Sequence, residues 1–156
     1  NMGFALNTKR GLLVPVIHDA DKLSFEALIE RFEDIIKRVE LKKFTPEDLV
    51  DLTCTISNSG RFGGEHPRPI IPSTSRTDGT ERLTAMIISL GKMVSNGSLE
   101  AGSSISTQSM KLVVSFDHRI TDALEPLRCV TYIKEFIESK KNPKDFNVLF
   151  SEQFSL

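Results

Sequence analysis

The sequence has little of the features that assign a protein quickly to a class. It has no apolar run approaching the roughly 20 residues that span a membrane, and no recognisable signal or transit peptide. Its 20 lysines and arginines almost balance its 21 acidic residues, which leaves a net charge of −1. Binding to nucleic-acid phosphates needs a basic excess. We therefore expect neither a membrane span nor a nucleic-acid partner.

Cysteine and histidine are also scarce. The two cysteines, Cys54 and Cys129, fall in a predicted strand and a predicted helix with apolar neighbours. This placement predicts two reduced, buried thiols. The three histidines, His18, His66 and His118, show no metal-ligand spacing with one another or with the cysteines. We therefore predict no metal site.

The remaining composition is ordinary for a single globular domain, with 39% apolar residues in a chain of 156. The chain begins at Asn1 in the middle of a pattern, and we interpret it as part of a longer protein. Apolar runs predict strands at 2–6, 12–17, 52–56, 83–90 and 110–116, and helical spacing predicts helices at 25–39 and 123–139. Strands mixed with two long helices indicate an α/β domain in which helices cover a layered sheet.

The connections between these elements carry their own signals. The first two strands are predicted to form a hairpin, and Pro15 places the second of them at an edge or a bulge. A polar segment at 93–108 predicts a second hairpin connection, whereas 57–82, rich in Gly, Pro, Ser and Thr, predicts a loop. Ser24 is the expected N-cap of the first long helix. Asp122 and Glu125 are the expected capping box of the last one.

The most distinctive segment runs from Ser115 to Asp122 and reads Ser-Phe-Asp-His-Arg-Ile-Thr-Asp. It places His118 at the end of a predicted strand, where a rigid backbone can hold it. Histidine is the side chain most easily tuned to exchange protons near neutral pH. The spacing alone also fits an ordinary surface or core histidine, so both interpretations stay open at this point.

Several segments resemble, in the same order, the catalytic (inner-core) domain of the dihydrolipoamide acyltransferases, the E2 subunits of 2-oxo acid dehydrogenase complexes. The family signature Asp-His-Arg, two variable residues, Asp-Gly stands here at 117–123, with Ala123 in place of the closing glycine. Other similar segments lie at 1–6, 10–17, 44–49, 53–60, 62–64 and 69–71. The resemblance predicts an acyltransferase-like domain over 1–150 and a C-terminal tail at 151–156. It implies the CoA-dependent, chloramphenicol acetyltransferase-like fold, without the N-terminal part of the family domain.

The resemblance also implies an activity: transfer of an acyl group from dihydrolipoamide to coenzyme A, with a pyruvate dehydrogenase complex as the favoured setting. A free thiol has a pKa of about 8.5, so the attacking thiol needs a base. His118 is implied as that base, Ser57 as the hydroxyl that stabilises the oxyanion, and Asp122 as the acid that organises the loop. Asp117 and Arg119 are expected to hold the strand end through an ion pair.

The implied assembly is a homotrimer, in which Ser57 reaches the site from a neighbouring subunit, built into a larger cage. The implied partners are the E1 and E3 components of the complex and the lipoyl domains that supply lipoamide. The implied location is the mitochondrial matrix in a eukaryote and the cytoplasm otherwise.

Three departures from the family pattern favour an alternative. The family domain begins upstream of Asn1, its glycine pair before the strand at 53–57 is Asp51-Leu52, and its Pro-Pro-Glu/Gln segment is replaced by Pro72–Arg82. Together with Ala123, these departures favour a catalytically silent, structural or E3-binding relative (protein X).

The retention of His118, Ser57 and Asp122 together favours an active enzyme, because a silent relative has no chemical need for all three. Both alternatives stay open on sequence alone.

Overall fold

The computed structural model describes residues 1–9, 11–100 and 103–139, so the predicted tail at 151–156 lies outside the described residues. The strands are β1 Met2–Phe4, β2 Leu6–Thr8, β3 Gly11–Leu13, β4 Val16–Ile17, β5 Cys54–Asn58, β6 Ser73–Ser75, β7 Glu81–Leu83, β8 Met86–Leu90, β9 Val94–Glu100, β10 Ser103–Ser109 and β11 Leu112–Phe116. The helices are α1 Phe25–Glu40 and α2 Leu124–Ser139, and short 3-10 turns lie at Ala20–Lys22, Pro46–Leu49 and Gly60–Phe62.

A mixed sheet of five strands forms the centre, in the order β11-β8-β5-β1-β4. Its three inner strands, β1, β5 and β8, are parallel, and β11 and β4 run antiparallel to them at the edges. We call the end at which β5 and β8 finish the Ser57 end. The opposite end, at which β11 finishes, is the His118 end. The α/β fold with a helix-covered sheet, predicted from the sequence, is confirmed.

The N-terminal hairpin forms as predicted but is divided into two short ladders. β1 pairs with β4 in the central sheet, and β2 pairs with β3 in a separate ribbon. The division falls near Pro15, whose carbonyl accepts a hydrogen bond from the Phe4 N–H at 3.0 Å. Because a proline cannot donate to the ladder, the strand that follows it lies at the sheet edge.

Helix α1 covers the β1–β4 side of the sheet. Ser24 caps it as predicted, since its hydroxyl accepts a hydrogen bond from the Ala27 N–H at 3.2 Å. Ile35 and Val39 of the helix pack with Ile17 of β4 in a buried cluster. The rings of Phe4 and Phe32 meet edge to face with centroids 4.8 Å apart, which adds an oriented contact to this packing.

Two predictions about the connections need correction. Part of the segment 57–82, predicted as a loop, forms the antiparallel hairpin of β6 and β7. The strand predicted at 83–90 therefore divides, with Leu83 in the hairpin and only 86–90 in the central sheet. Short polar strands such as Ser-Thr-Ser give no apolar alternation, so the hairpin left no periodic signal. The hairpin predicted within 93–108 is confirmed as β9 and β10.

Helix α2 packs beside β11 with only part of the apolar face that its helical spacing predicts, which comprises Leu124, Leu127, Val130, Ile133, Phe136 and Ile137. Pro126 is buried, and Val130 and Ile133 are half-buried. Leu124 and Leu127, expected on the same inward face, are 56% and 54% exposed. The first turn of α2 is therefore buried through Pro126, while the two leucines on either side of it are exposed.

The two cysteines are unpaired, as predicted, but both are half-buried rather than fully buried. Burial raises the pKa of the Cys54 thiol, which disfavours the thiolate and fits a structural role. Neither helix in the described part of the chain is long and apolar enough to cross a membrane.

Candidate active site

The turn that carries His118 is held by the two residues that flank it. The Asp117 carboxylate accepts hydrogen bonds from the Arg119 backbone N–H at 2.9 Å and from its guanidinium Nη2 at 2.7 Å and Nε at 2.9 Å. The Asp117 carbonyl accepts the N–H groups of Ile120 and Thr121 at 2.9 and 3.2 Å. The ion pair expected from the sequence is therefore present, and it closes the turn around His118.

The charge of this ion pair is fixed at physiological pH. Asp117 is 8% exposed, while the Arg119 side chain is 73% exposed. The hydrogen bonds from Arg119, from both its side chain and its backbone, lower the pKa of Asp117 to about 2. The Asp117 carboxylate is consequently ionised, and the Nε and Nη2 donors of Arg119 are occupied by it.

The His118 side chain is exposed at the end of the sheet, where another molecule can reach it. Its ring meets the ring of Phe116 edge to face, with centroids 4.7 Å apart and an interplanar angle of 63°. This contact restricts the imidazole from one side without using either of its nitrogens. Both nitrogens therefore stay available for proton transfer.

Asp122 does not cap helix α2 as predicted. Helix α2 begins at Leu124, and the Ala123 carbonyl accepts the Leu127 N–H at 3.2 Å, so Ala123 occupies the N-cap position. The predicted capping box is wrong, since Glu125 pairs with Arg128 at 3.0 Å instead. Asp122 is exposed four residues after His118. The carboxylate that closes the turn at 117–121 is that of Asp117, and the loop-organising role implied for Asp122 stays a prediction.

Ser57 lies near the end of β5, half-buried, opposite Ser89 of β8. Its hydroxyl makes no hydrogen bond with any side chain or backbone group that the structure describes. The segment that follows is fixed by its backbone: the Ser59 N–H donates to Leu90 at 3.1 Å, and the Lys92 N–H donates to Gly64 at 2.7 Å. At Gly60 a Cβ would lie 2.6 Å from the Gly91 carbonyl carbon, so only glycine fits this crossing.

One chain does not bring Ser57 and His118 together. Ser57 lies level with Ser89, and Ser89 with Val113 of β11, while His118 follows the far end of that strand. At about 3.3 Å per residue, the two side chains are displaced by roughly 10 Å or more along the strands. They also lie two strands apart. Neither residue therefore has the other member of the predicted catalytic pair beside it within one chain.

A cavity of about 740 Å³ opens beside the turn at 117–120, and we call it the His118 cavity after that turn, although the His118 side chain does not itself line it. Its walls come from three places: the start of β5, the β6–β7 hairpin and the turn itself. Leu52, Leu83 and Ile120 give it apolar surface, and Glu81, Asp117 and Arg119 are its charged residues.

The hairpin wall of this cavity is attached to the segment that departs from the family pattern. Asp51 has φ 56°, a left-handed conformation in which glycine costs least. Its carboxylate accepts a hydrogen bond from the Thr77 hydroxyl at 2.9 Å, and its N–H donates to the Ser75 carbonyl at 2.9 Å. The Leu52 N–H donates to Thr74 Oγ1 at 3.2 Å. The two departures, at 51–52 and at 72–82, therefore form one unit.

A second concave surface, the Ser57 groove, has a volume of about 770 Å³ and runs from the β2–β3 ribbon past the end of α1 to Asn58. Three basic residues line it, Lys9, Lys42 and Arg61, with Glu40 as the one acid among its lining residues. Sequence reasoning missed this group, because its members are far apart in the chain and each is unremarkable among its neighbours. No local signal in the sequence could have found it.

Within the residues that the structure describes, no three His, Cys, Asp or Glu side chains cluster in a way that could hold a metal ion. The absence of a metal site from the whole protein stays a prediction.

Comparison with known proteins finds a matching family and several similar proteins. Residues 1–146 match the family described as "2-oxoacid dehydrogenases acyltransferase (catalytic domain)". A relative from Staphylococcus saprophyticus, the dihydrolipoyllysine-residue succinyltransferase component of the 2-oxoglutarate dehydrogenase complex, is 32% identical over 93% of this chain and 32% of its own length. The acetyltransferase component of the pyruvate dehydrogenase complex from Staphylococcus aureus is 28% identical over 89% of this chain and 30% of its own.

Solved structures show the same fold. A probable dihydrolipoamide acetyltransferase from Listeria monocytogenes superposes with a TM-score of 0.70 at 23% identity, over 90% of this chain and 57% of its own. The dihydrolipoamide acetyltransferase of Azotobacter vinelandii, in which the catalytic roles of a serine, a histidine and an asparagine four residues after it were investigated, has a TM-score of 0.68 at 25% identity, over 86% of this chain and 51% of its own. The chain thus spans about a third of the curated relatives and about half of the solved cores.

Proposed function

Because this chain belongs to the 2-oxoacid dehydrogenase acyltransferase family (catalytic domain), we propose that it transfers an acyl group from dihydrolipoamide to coenzyme A. We propose the acetyl group, in a pyruvate dehydrogenase complex, as the group transferred. The reaction takes place between subunits, with His118 of one subunit and Ser57 of the next. The lipoamide is carried to the site by a lipoyl domain.

The observation that carries this proposal is the separation of two unpartnered side chains. Ser57 and His118 lie at opposite ends of the sheet, and neither uses its polar atoms in a hydrogen bond with a residue that the structure describes. A polar pair with such spacing can act on one substrate only if a second copy supplies the missing half. A cyclic trimer provides that arrangement at each of its equivalent interfaces.

The chemistry then follows from the residue types. The thiol of coenzyme A gives its proton to a ring nitrogen of His118, and its sulfur attacks the thioester carbonyl. The hydroxyl of Ser57 donates to the oxygen on which charge develops, an interaction worth about 3 kcal/mol in comparable sites. The carbon–sulfur bond to dihydrolipoamide breaks as the carbonyl re-forms. His118 returns the proton to the departing dihydrolipoamide sulfur.

The Ser57 groove has the chemistry to hold the remainder of coenzyme A. Its basic residues, Lys9, Lys42 and Arg61, suit the phosphate groups of that molecule. Apolar side chains between them, including Leu13 and Phe44, suit the uncharged pantetheine arm. The groove reaches Asn58, the residue after Ser57 in β5, while Ser57 itself does not line it.

Residue types shared with a solved relative also support the proposal. The serine, histidine and asparagine investigated in the Azotobacter vinelandii enzyme correspond in type to Ser57 and His118, with Asp122 where the asparagine stands four residues after the histidine. The spacing from serine to histidine is longer in this chain, and the β6–β7 hairpin lies within it. An acid at Asp122 can hold the loop or orient the histidine from an adjoining subunit.

The exposed apolar surface at the His118 end is where we place the subunit contact. Ile120 lies in the turn after β11, and Leu124 and Leu127 lie in the first turns of α2. The three residues are 59%, 56% and 54% exposed. Contiguous apolar surface of this kind is typical of interaction sites. One solved relative is the cubic core of a pyruvate dehydrogenase multienzyme complex. We propose that trimers of this protein likewise assemble further, with E1 and E3 components and lipoyl domains as partners.

The experiment that tests the proposal is complementation between two inactive variants of the full-length protein. Ser57→Ala and His118→Ala are expected to lower kcat for acetyl transfer between coenzyme A and dihydrolipoamide by about 10²–10⁴-fold each. Co-expressed in equal amounts, they form mixed trimers in which about a quarter of the interfaces combine an intact His118 with an intact Ser57. Activity should return to roughly that fraction of wild type.

The matched control mixes the two variants after separate purification, without subunit exchange, and should stay inactive. Failure of co-expression to restore activity would contradict the shared site. Full activity of His118→Ala alone would contradict its role as base. Absence of transfer by the wild-type protein would favour the silent, protein X-like alternative.

A further inference from the structure

We propose that the His118 cavity receives the acyl group of the thioester, and that Glu81 restricts it to acyl groups without a terminal charge. This inference rests on the proposed function, because it concerns the substrate of the same site. It makes the β6–β7 hairpin a specificity element of the enzyme.

The position of the cavity is the first argument. Asp117 and Arg119, which flank His118 in the chain, both line it, as does Ile120 of the same turn. A thioester whose sulfur is served by His118 must place its carbonyl within a few ångströms of this turn. The acyl chain beyond that carbonyl then has the cavity as its adjoining space. Leu52 and Leu83 give that space apolar walls, which favour a hydrocarbon chain.

The balance of charge in the lining is the second argument. It contains two carboxylates, Glu81 and Asp117, and one guanidinium, Arg119. The Arg119 Nε and Nη2 donors already point at Asp117, whose carboxylate stays ionised. Glu81 forms no ion pair with any side chain that the structure describes. A terminal carboxylate on the acyl chain would therefore meet the negative charge of Glu81, while the Arg119 guanidinium is already paired with Asp117. Repulsion between the two carboxylates disfavours binding.

The attachment of the hairpin is the third argument, because a charge selects only where its position is fixed. Glu81 pairs with Ser75 in the β6–β7 ladder, and Ser75 accepts the Asp51 N–H at 2.9 Å. At the base of the hairpin the Thr84 N–H donates to the Pro72 carbonyl at 3.1 Å. The backbone of Glu81 is thus held to the sheet from both strands of the hairpin, and its exposed side chain extends from this fixed position. The segment at 51–52 and the hairpin act together as one wall.

Relatives of this chain differ in the acyl group that their names give, since one is named a succinyltransferase and another an acetyltransferase. A succinyl group ends in a carboxylate and an acetyl group does not. The charge of the cavity therefore decides between two activities that overall sequence similarity leaves unresolved.

The test compares acyl-coenzyme A substrates in the reverse reaction, with dihydrolipoamide as acceptor and the full-length, assembled protein as enzyme. The measured quantity is the ratio of kcat/KM for succinyl-CoA to that for acetyl-CoA. We expect this ratio to be below about one tenth in the wild-type protein, to rise about tenfold in Glu81→Gln, and to rise further in Glu81→Lys.

The matched control is Glu33→Gln, which removes the same charge from an exposed position on α1 and should leave the ratio unchanged. A wild-type preference for succinyl-CoA, or a ratio that does not move in Glu81→Gln and Glu81→Lys, would overturn the inference while acetyl transfer persists. Loss of transfer from every acyl-CoA in the wild-type protein would instead overturn the proposed function. Thermal unfolding of each variant checks that the hairpin stays folded.

Discussion

The two ends of the central sheet each present one candidate catalytic side chain, but different kinds of contact hold them in place. At the Ser57 end the backbone itself is packed: a Cβ on Gly60 would meet the Gly91 carbonyl, and a Cβ on Gly91 would lie 2.8 Å from the Glu65 carbonyl oxygen. At the His118 end, charged and polar side chains hold the backbone in place. Asp117 binds Arg119 around the turn, and Asp51 binds the hairpin that faces it.

This difference teaches where each end tolerates change. Backbone atoms in contact cannot move aside by a change of rotamer, so an added methyl group must displace a strand or a turn. Contacts made by side chains can be exchanged for others, and they respond to pH and to charge. We expect the Ser57 end to be sensitive to volume and the His118 end to be sensitive to charge.

The largest effect on stability is expected from Gly60→Ala. The new Cβ would lie 2.6 Å from the Gly91 carbonyl carbon and 2.8 Å from the Lys92 Cα, both backbone atoms. We expect a loss of about 3 kcal/mol in the free energy of unfolding, the upper range for overpacking. The midpoint of chemical denaturation measures it, and oxyanion stabilisation at Ser57 should weaken with it.

Gly64→Ala in the same loop is the matched control. There the Cβ would lie 3.2 Å from Ser59 Oγ and 3.3 Å from the Ser59 carbonyl oxygen, looser contacts than those at Gly60, and we expect a change within about 1 kcal/mol. Equal midpoints for the two variants would show that the crossing at Gly60 is not tight, and the contrast between the two ends would then disappear.

A smaller, pH-dependent effect is expected from Asp117→Asn. The pKa of Asp117 is lowered to about 2 in the folded protein from an ordinary value of 3.8. A group with a depressed folded pKa contributes stability above its unfolded pKa and loses it as the pH falls through the folded value. The stability advantage of wild type over Asp117→Asn should therefore be constant above about pH 5 and shrink between about pH 4 and pH 2.

The advantage should be modest even at neutral pH, because the Arg119 side chain lies mostly in water. Denaturation midpoints measured from pH 2 to pH 7 follow it, and Arg119→Gln, which removes the partner, should reproduce the same loss. A difference between wild type and Asp117→Asn that ignored pH would mean that the turn is held by its backbone, as at the Ser57 end.

The sequence predicted the elements with strong periodicity. Helix α1, its Ser24 cap and strands β5, β8 and β11 are all confirmed within a few residues. Family membership and the α/β acyltransferase-like fold are confirmed as well, because many ordered motifs carried the resemblance. The roles of His118, Ser57 and Asp122 stay predictions.

What the sequence missed depends on contacts between distant segments. The β6–β7 hairpin is too polar to alternate, and its stability comes from Asp51 and Leu52, more than twenty residues earlier. The N-cap of α2 is Ala123 and not the predicted Asp122, because the hydrogen-bonded turn at 117–121 determines where the chain enters the helix. The exposure of Leu124 and Leu127 was missed because the first turn of α2 is buried through Pro126, a residue outside the apolar spacing.

The smallest effect, and the sharpest test of the contrast, comes from Asp51. Its φ of 56° is costly for most residues and free for glycine, while its carboxylate binds the Thr77 hydroxyl at 2.9 Å. Asp51→Ala loses the bond and keeps the unfavourable backbone, whereas Asp51→Gly loses the bond and relieves the backbone. We expect the glycine variant to be more stable than the alanine variant by about 1 kcal/mol.

A double-mutant cycle separates the two contributions. Thr77→Ala should cost about 1 kcal/mol when Asp51 is present and almost nothing in Asp51→Gly, since the hydrogen bond is then already absent. Thr80→Ala, which removes a bond to Asp78 within the same turn, should cost the same in both backgrounds. Urea midpoints give all the values. Additive costs for Asp51 and Thr77 would mean that the hairpin stays in place without this side-chain bond, and the His118 end would then resemble the Ser57 end in being held by its backbone.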